Sequence, residues 1–227
     1  MLRIVSRSNQ QFRDRQEGGR LLARELWEWH GQKPVVLGIP RGGVVVAREL
    51  ARALQADLDV ILARKLRSPG NSELAMGAVA EGGELFLNEA VVRELGVDES
   101  YINRERAHQL TEITRRSELI RRVAPKLPLN GRLVVVTDDG VATGATTAAA
   151  FWAVREEGPK KLIGAFPVGS EDTIRMLAQQ VDEMICLRAP PYFQAVGQFY
   201  LEFGPVEDED VLKILKEERG RRAPIGT

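Results

Sequence analysis

The chain has 227 residues, enough for one large domain or two small ones. Its 44 % hydrophobic and 28 % charged residues exclude a disordered, collagen-like or disulfide-stapled chain. The 32 Lys and Arg balance the 32 Asp and Glu, which argues against a general binder of nucleic acid or acidic membranes.

The opening MLRIVSRSNQQFRDR lacks the apolar core of a secretory signal, and no apolar run is long enough to span a bilayer, so a cytoplasmic location is expected. The Phe12–Trp29 segment reads as lying outside the repeating core. Pro34–Ile39 (PVVLGI) reads as a buried strand, Pro40-Arg41-Gly42-Gly43 as a turn, and Val44–Leu54 as a helix packed on a sheet. Leu58–Ala63 is a second strand. Residues 66–88, rich in Gly, Ser and Asn, are expected to combine a mobile loop (about 66–83) with a short hairpin. Asn88 suits a cap over Glu89–Leu95, stopped by Gly96. Asp98–Val123 reads as a long, solvated helix laced with ion pairs. Leu133–Thr137, Leu162–Val168 and Met184–Leu187 complete the strands, with helices over Thr143–Glu157 and Asp172–Gln180. Continuous apolar strands alternating with helices imply an α/β fold with a parallel sheet covered on both faces. One domain, 1–227, is expected, with its core over 34–190 and hood or terminal elements at 1–33 and 191–227. The single cysteine, Cys186, has no disulfide partner, and its position on a late strand suits packing. His30 and His108 lie outside the motifs.

The strongest chemical signal is LVVVTDDGVATGATT, Leu133 to Thr147. A strand delivers Asp138 and Asp139 to its carboxyl end, where open α/β sheets bind ligands. The loop Gly140-Val141-Ala142 then leads into Thr143-Gly144-Ala145-Thr146-Thr147, which opens a helix. Free backbone N–H groups and the helix dipole favour an anion there, and the hydroxyls of Thr143, Thr146 and Thr147 can donate to phosphate oxygens. Acids beside a phosphate cradle make sense if they accept from sugar hydroxyls or hold a magnesium ion. A Walker A loop would need Gly-Lys-Ser/Thr and a dinucleotide fingerprint G-x-G-x-x-G; neither is present. Two capping aspartates at a strand–turn–helix would explain one acid but not both.

This segment closely resembles the PRPP-binding signature of the type I phosphoribosyltransferases. The resemblance covers roughly residues 34–190 and implies that fold: a Rossmann-like parallel sheet flanked by helices, with a small hood. It implies that Asp138 and Asp139 bind the ribose hydroxyls and Mg²⁺, directly or through water. It also implies that the loop Gly140, Val141, Ala142, Thr143, Gly144, Ala145, Thr146 and Thr147 wraps the 5′-phosphate. Ile39-Pro40-Arg41-Gly42-Gly43 is similar to the family's pyrophosphate loop, and Arg64-Lys65 to its basic pair before a loop that closes over the site. On this reading Pro40, Arg41, Gly42, Gly43, Arg64 and Lys65 bind pyrophosphate, and Asp138, Asp139, Arg64 and Lys65 carry catalysis. Glu73 in the loop is open to a structural or a catalytic role. The whole looks most like an uncharacterised bacterial phosphoribosyltransferase-like group, through RKL…ELA.GA.AEGG and the late Phe193-Gln194-Ala195-Val196-Gly197-Gln198-Phe199-Tyr200. The aromatics Tyr192, Phe193, Phe199 and Tyr200 could build part of a hood that stacks on a base.

The 6-oxopurine enzymes of the family carry a third acid just before Thr-Gly. Ala142 stands there in this chain, which disfavours hypoxanthine and guanine salvage without establishing adenine. The implied reaction is Mg²⁺-dependent transfer of ribose 5-phosphate from PRPP to a nitrogenous base, releasing pyrophosphate. A homodimer is the family expectation, with no nucleic acid or membrane partner. The alternative is a non-catalytic sensor of PRPP or a nucleotide on the same fold. A phosphoacceptor receiver domain fits poorly, because its acidic pair would stand near the start of the domain.

Overall fold

The computed structural model describes residues 1–222, apart from the side chains of 71–74 and 222. Six strands form its main sheet: β1 (Leu2–Ser6), β2 (Val35–Gly38), β3 (Asp57–Val60), β7 (Leu133–Thr137), β8 (Lys161–Val168) and β9 (Glu183–Arg188). All are parallel, in the order β1-β9-β8-β7-β2-β3. Each central strand is apolar on both faces because helices cover both. Alternate residues go to opposite cores: Val36, Val135 and Ile163 to one, Val35, Val134 and Leu162 to the other.

The first layer contains α1 (Arg15–Glu25), α2 (Gly42–Leu54) and α7 (Asp208–Arg222). The second contains α5 (Ala145–Glu156) and α6 (Glu171–Leu177). From β2 the chain crosses to β3 on one side, whereas from β7 it crosses to β8 on the other. Neighbouring β2 and β7, paired at Gly38 and Thr137, therefore form the switch point where such sheets open a crevice.

Three sequence expectations are corrected. Residues 1–33 do not stand outside the core: β1 pairs with β9 as the sheet's edge strand, and α1 packs on α2. The short, half-polar sequence of β1 (LRIVS) hides it from a search for apolar runs. The segment expected as mobile loop plus short hairpin is a second, antiparallel sheet of β4 (Ala63–Ser68), β5 (Asn71–Ala80) and β6 (Leu85–Leu87). The small residues of β5 serve close packing there; at Gly77 a Cβ would lie 2.1 Å from the Phe86 carbonyl oxygen. The Glu73 side chain lies outside the described residues. The long helix α4 (Glu99–Arg121), capped by Asp98, is not merely solvated. It buries Ile102, Gln109, Ile113 and Ile120 against the second sheet. Short α3 (Glu89–Glu94) precedes it, capped by Asn88 as expected.

The ion pairs of α4 reach out to other elements rather than along its own surface. Arg121 bonds Asp59 at the end of β3 (2.7 Å) and grips Glu81 with two nitrogens (2.7 and 2.8 Å). Asp59, 1 % exposed, also accepts from the Leu127 N–H. Burial still holds its pKa above the usual carboxylate range, despite Arg121. Removing the cation would leave a buried carboxylate uncompensated, a loss of about 3–5 kcal/mol. Arg121→Met is expected to lower the unfolding free energy in urea accordingly; a value within ~0.5 kcal/mol of the unaltered chain would show that the network is dispensable.

Candidate active site

The acidic pair leaves β7 at its carboxyl end, beside the α2 start. Glycine is required at 42 and 43 by proximity. A Cβ on Gly42 would lie 2.0 Å from Asp139 Oδ2, and one on Gly43 2.8 Å from Asp138 Oδ1. The strand–turn–helix after β2 is thus pressed against the two carboxylates, with a cis peptide between Pro40 and Arg41. Asp138 Oδ1 accepts from the Asp139 N–H at 2.8 Å. Arg15, the first residue of α1, donates from Nε to Asp139 Oδ2 at 2.8 Å, and both side chains are largely buried. Arg15 is itself held by the Gly204 carbonyl (2.8 Å) and lies 3.9 Å from the Phe203 ring centre. Burial, reinforced by the neighbouring Asp139 charge, pushes the Asp138 carboxyl well up. Burial also raises Asp139, and Arg15 opposes that rise.

The loop after the acids is anchored rather than loose. Val141 is 1 % exposed; its N–H donates to Val168 and its carbonyl accepts from Ser170. Both its backbone groups are thus engaged by protein, so of the predicted phosphate loop it supplies the anchor. The Ala142 carbonyl accepts from the Thr173 hydroxyl (2.8 Å), and Gly144 adopts φ +77° against Thr173. Thr143 and Thr146 are exposed, whereas Thr147 is buried in the α5 packing.

The α-helices differ in how their starts are capped. Side chains cap α1 (Asp14), α3 (Asn88), α4 (Asp98) and α6 (Ser170). The starts of α2 and α5 have no side-chain cap. The start of α2 lies against Asp138 and Asp139, so its orphan N–H groups and positive dipole end are there, and the loop after the acids runs on into the start of α5.

A cleft of about 240 Å³ is bounded by Pro40, Arg64, Lys65 and Thr146. Of the residues singled out in the sequence, Pro40, Arg64, Lys65 and Thr146 line this cavity, whereas Arg41, Gly42, Gly43, Asp138, Asp139 and the rest of the phosphate loop do not. Another wall is α4, a helix that the sequence predicts but does not assign to the site. Gln109, 1 % exposed, accepts from Arg64 Nε (2.6 Å) and donates to Glu105 (2.8 Å). Arg41 pairs with Glu207 at 2.7 Å.

The aromatic segment divides. Phe199 and Tyr200 are core residues, and the Tyr200 hydroxyl donates to the Asp139 carbonyl at 2.5 Å. Phe193 stacks on Phe199, and Tyr192 is exposed. The segment therefore braces the acid loop more than it forms an open stacking face. Cys186 is buried, its thiol pushed up to about 12 by burial, and it lies in the core as expected. Among the described residues no three His, Cys, Asp or Glu side chains gather to cage a metal. The oxygens of Asp138 and Asp139 suit a hard cation such as Mg²⁺, provided that most of its ligands come from a bound phosphate.

Fold and site together define an open α/β protein built to hold a ligand at the sheet's switch point. A family model for the phosphoribosyl transferase domain matches residues 8–202. The chain is 45 % identical over 204 residues to the Mycobacterium tuberculosis protein named "Putative phosphoribosyl transferase Rv0571c". That match covers 90 % of this chain and 46 % of the relative, so the chain spans about half its length. The crystal structure of TT1426 from Thermus thermophilus is 50 % identical, with a TM-score of 0.86 over 91 % of this chain and 98 % of that one. The chain belongs to the phosphoribosyl transferase domain family. No helix among the described residues is long and apolar enough to cross a membrane.

Arg15, Gln109 and the bracing role of Tyr200 were missed by sequence reasoning. Asp14 followed by Glu17 signals a helix start and so puts Arg15 in a first turn, but nothing local points it at Asp139.

The raised pKa of Asp138 has a definite sign for stability. The folded state binds the proton more tightly than the unfolded chain, so stability is lost as pH rises from about 3.8 through the folded pKa. Asp138→Asn, permanently neutral, is therefore expected to raise the melting temperature at pH 7.5 by about 2–4 °C per kcal/mol relieved. The gain should vanish near pH 3.5; an equal gain at both pH values would contradict the buried-charge account.

Proposed function

We propose that this domain transfers a 5-phosphoribosyl group from PRPP to a nitrogenous base and releases pyrophosphate. The observation that carries the reading is the uncapped start of α2 pressed against two adjacent carboxylates, whose loop leads into a second uncapped helix start. Anion sites and hydroxyl acceptors then lie side by side, as a phosphorylated sugar requires. The 5′-phosphate would sit on the N–H groups of Thr143–Thr147, with the exposed Thr143 and Thr146 hydroxyls donating. Asp138 and Asp139 would accept from the ribose hydroxyls, and Arg15 favours the ionised form that Asp139 needs for this. Arg41, Arg64 and Lys65 would face the pyrophosphate. Bound Mg²⁺ would be held by these aspartates together with the ligand's own oxygens, and would supply further charge neutralisation on the leaving group.

The bond from C1′ to pyrophosphate breaks with its electron pair leaving on pyrophosphate, and a new C1′–N bond forms to the acceptor. Positive charge accumulates on the ribose and negative charge on the leaving group, so preorganised charges on both sides lower the barrier. Positioning does the remainder. Gln109 fixes one hand of Arg64, so that cation is held in place before the ligand arrives.

PRPP with Mg²⁺ is expected to raise the melting temperature, and Asp138→Asn with Asp139→Asn to abolish the shift. An undiminished shift in the double variant would refute the ribose assignment. Incubation of the full chain with PRPP and a panel of bases should release pyrophosphate for at least one base. Tight PRPP binding with every base silent would instead identify a sensor.

A further inference from the structure

The walls of the cleft contain more positive charge than the predicted pyrophosphate residues account for. Arg64, Lys65, Arg67 and Arg116 line it, against a single carboxylate, Glu112. Arg67 and Arg116 fall in neither predicted motif. Arg116 is on α4, far along the chain from Arg64, yet its charge acts on Arg64. Burial and then the Arg116 charge both disfavour the Arg64 cation. Two guanidinium groups facing one cavity repel each other unless an anion lies between them.

The bonding of Arg116 is also incomplete. Its Nε is shielded from solvent and has no hydrogen-bond partner. The nearest carboxylate, Asp208 Oδ1, lies 3.9 Å away, an ion pair without a hydrogen bond. Asp208 begins α7 and also approaches Arg115 at 3.5 Å. The residue before it, Glu207, is the partner of Arg41. Two consecutive acids at the head of one helix therefore engage a cation from the loop after β2 and a cation from α4. The helix that carries them is fastened by Val211, Ile214 and Leu215, all buried.

We propose that Arg116 is a further diphosphate-binding residue of this cleft, and that Glu207 and Asp208 compete with a bound diphosphate for Arg41 and Arg116. The proposal rests on the reading that this end of the site takes pyrophosphate, and adds to it a residue from outside the motifs and an internal competitor. A diphosphate brings several oxygens to donors that Asp208 meets only at a distance. An arginine fork can use two of them at once, which is the stronger arrangement. The carboxylates of α7 and of the residue before it keep both arginines compensated until that exchange.

The test is calorimetric titration of the full chain with pyrophosphate and, separately, with ribose 5-phosphate, at fixed Mg²⁺ and ionic strength. Arg116→Gln is expected to weaken pyrophosphate about 10-fold and leave ribose 5-phosphate within about twofold. Arg116→Lys should fall between, because it keeps the charge and loses the fork. Glu207→Gln with Asp208→Asn should tighten pyrophosphate by about threefold or more, a gain that a damaged fold could not produce. Unchanged pyrophosphate binding in Arg116→Gln, an equal loss for both ligands, or no tightening in the double variant would overturn the proposal. Failure of the underlying reading looks different: the unaltered chain would then bind no pyrophosphate.

Discussion

Two adjacent carboxylates at the end of a buried strand repel each other and lose their hydration, so their surroundings must be electropositive for either to stay ionised. Around Asp138 and Asp139 that requirement is met only in part, since burial leaves both carboxyl pKa values raised. Arg15 bonds one carboxylate, the Asp139 N–H bonds the other, and the helix start at Gly42 adds its dipole. The glycines at 42 and 43 let that helix come this close. On the proposed function, the same positive potential that partly sustains the acids would attract the phosphates of the ligand. The pair's cost falls on stability, most visibly in the raised pKa of Asp138.

The architecture places the pair without special devices. Strands β2 and β7 are neighbours whose crossovers depart in opposite directions, which opens the crevice at their carboxyl ends. The second sheet and α4 close one side and supply Arg64, Lys65 and Gln109. The stretch from Phe193 to Phe203 closes another: Tyr200 bonds the acid loop's backbone, Phe203 lies beside Arg15, and Val196 lies over Gly140. Large aromatics near the chain's end thus fix the acids' position from behind.

Much of this was legible in the sequence because it is local. Apolar runs bounded by Gly and Pro mark β2, β7 and β8 to within a residue or two, and the acid pair followed by Thr-Gly marks the site at the end of β7. What escaped is non-local or atypically composed. Strand β1 is short and half polar, and its membership in the sheet depends on a partner at the far end of the chain. The second sheet was hidden by the Gly, Ser and Asn content of residues 66–88, which resembles a loop. Helix α4 was misjudged because few of its residues are apolar; its inner face includes a buried Gln109, and its arginines serve β3, Glu81 and α7. Arg15 could be placed on a helix but not against Asp139, since long-range pairing leaves no trace in spacing.

A crystal structure of the chain with ribose 5-phosphate and Mg²⁺ tests the central claim most directly. The account predicts phosphate oxygens within hydrogen-bond distance of the backbone N–H groups at the start of α5, with both ribose hydroxyls on Asp138 and Asp139 and Arg15 still against Asp139. A sugar phosphate bound elsewhere, with those N–H groups facing only water, would contradict it.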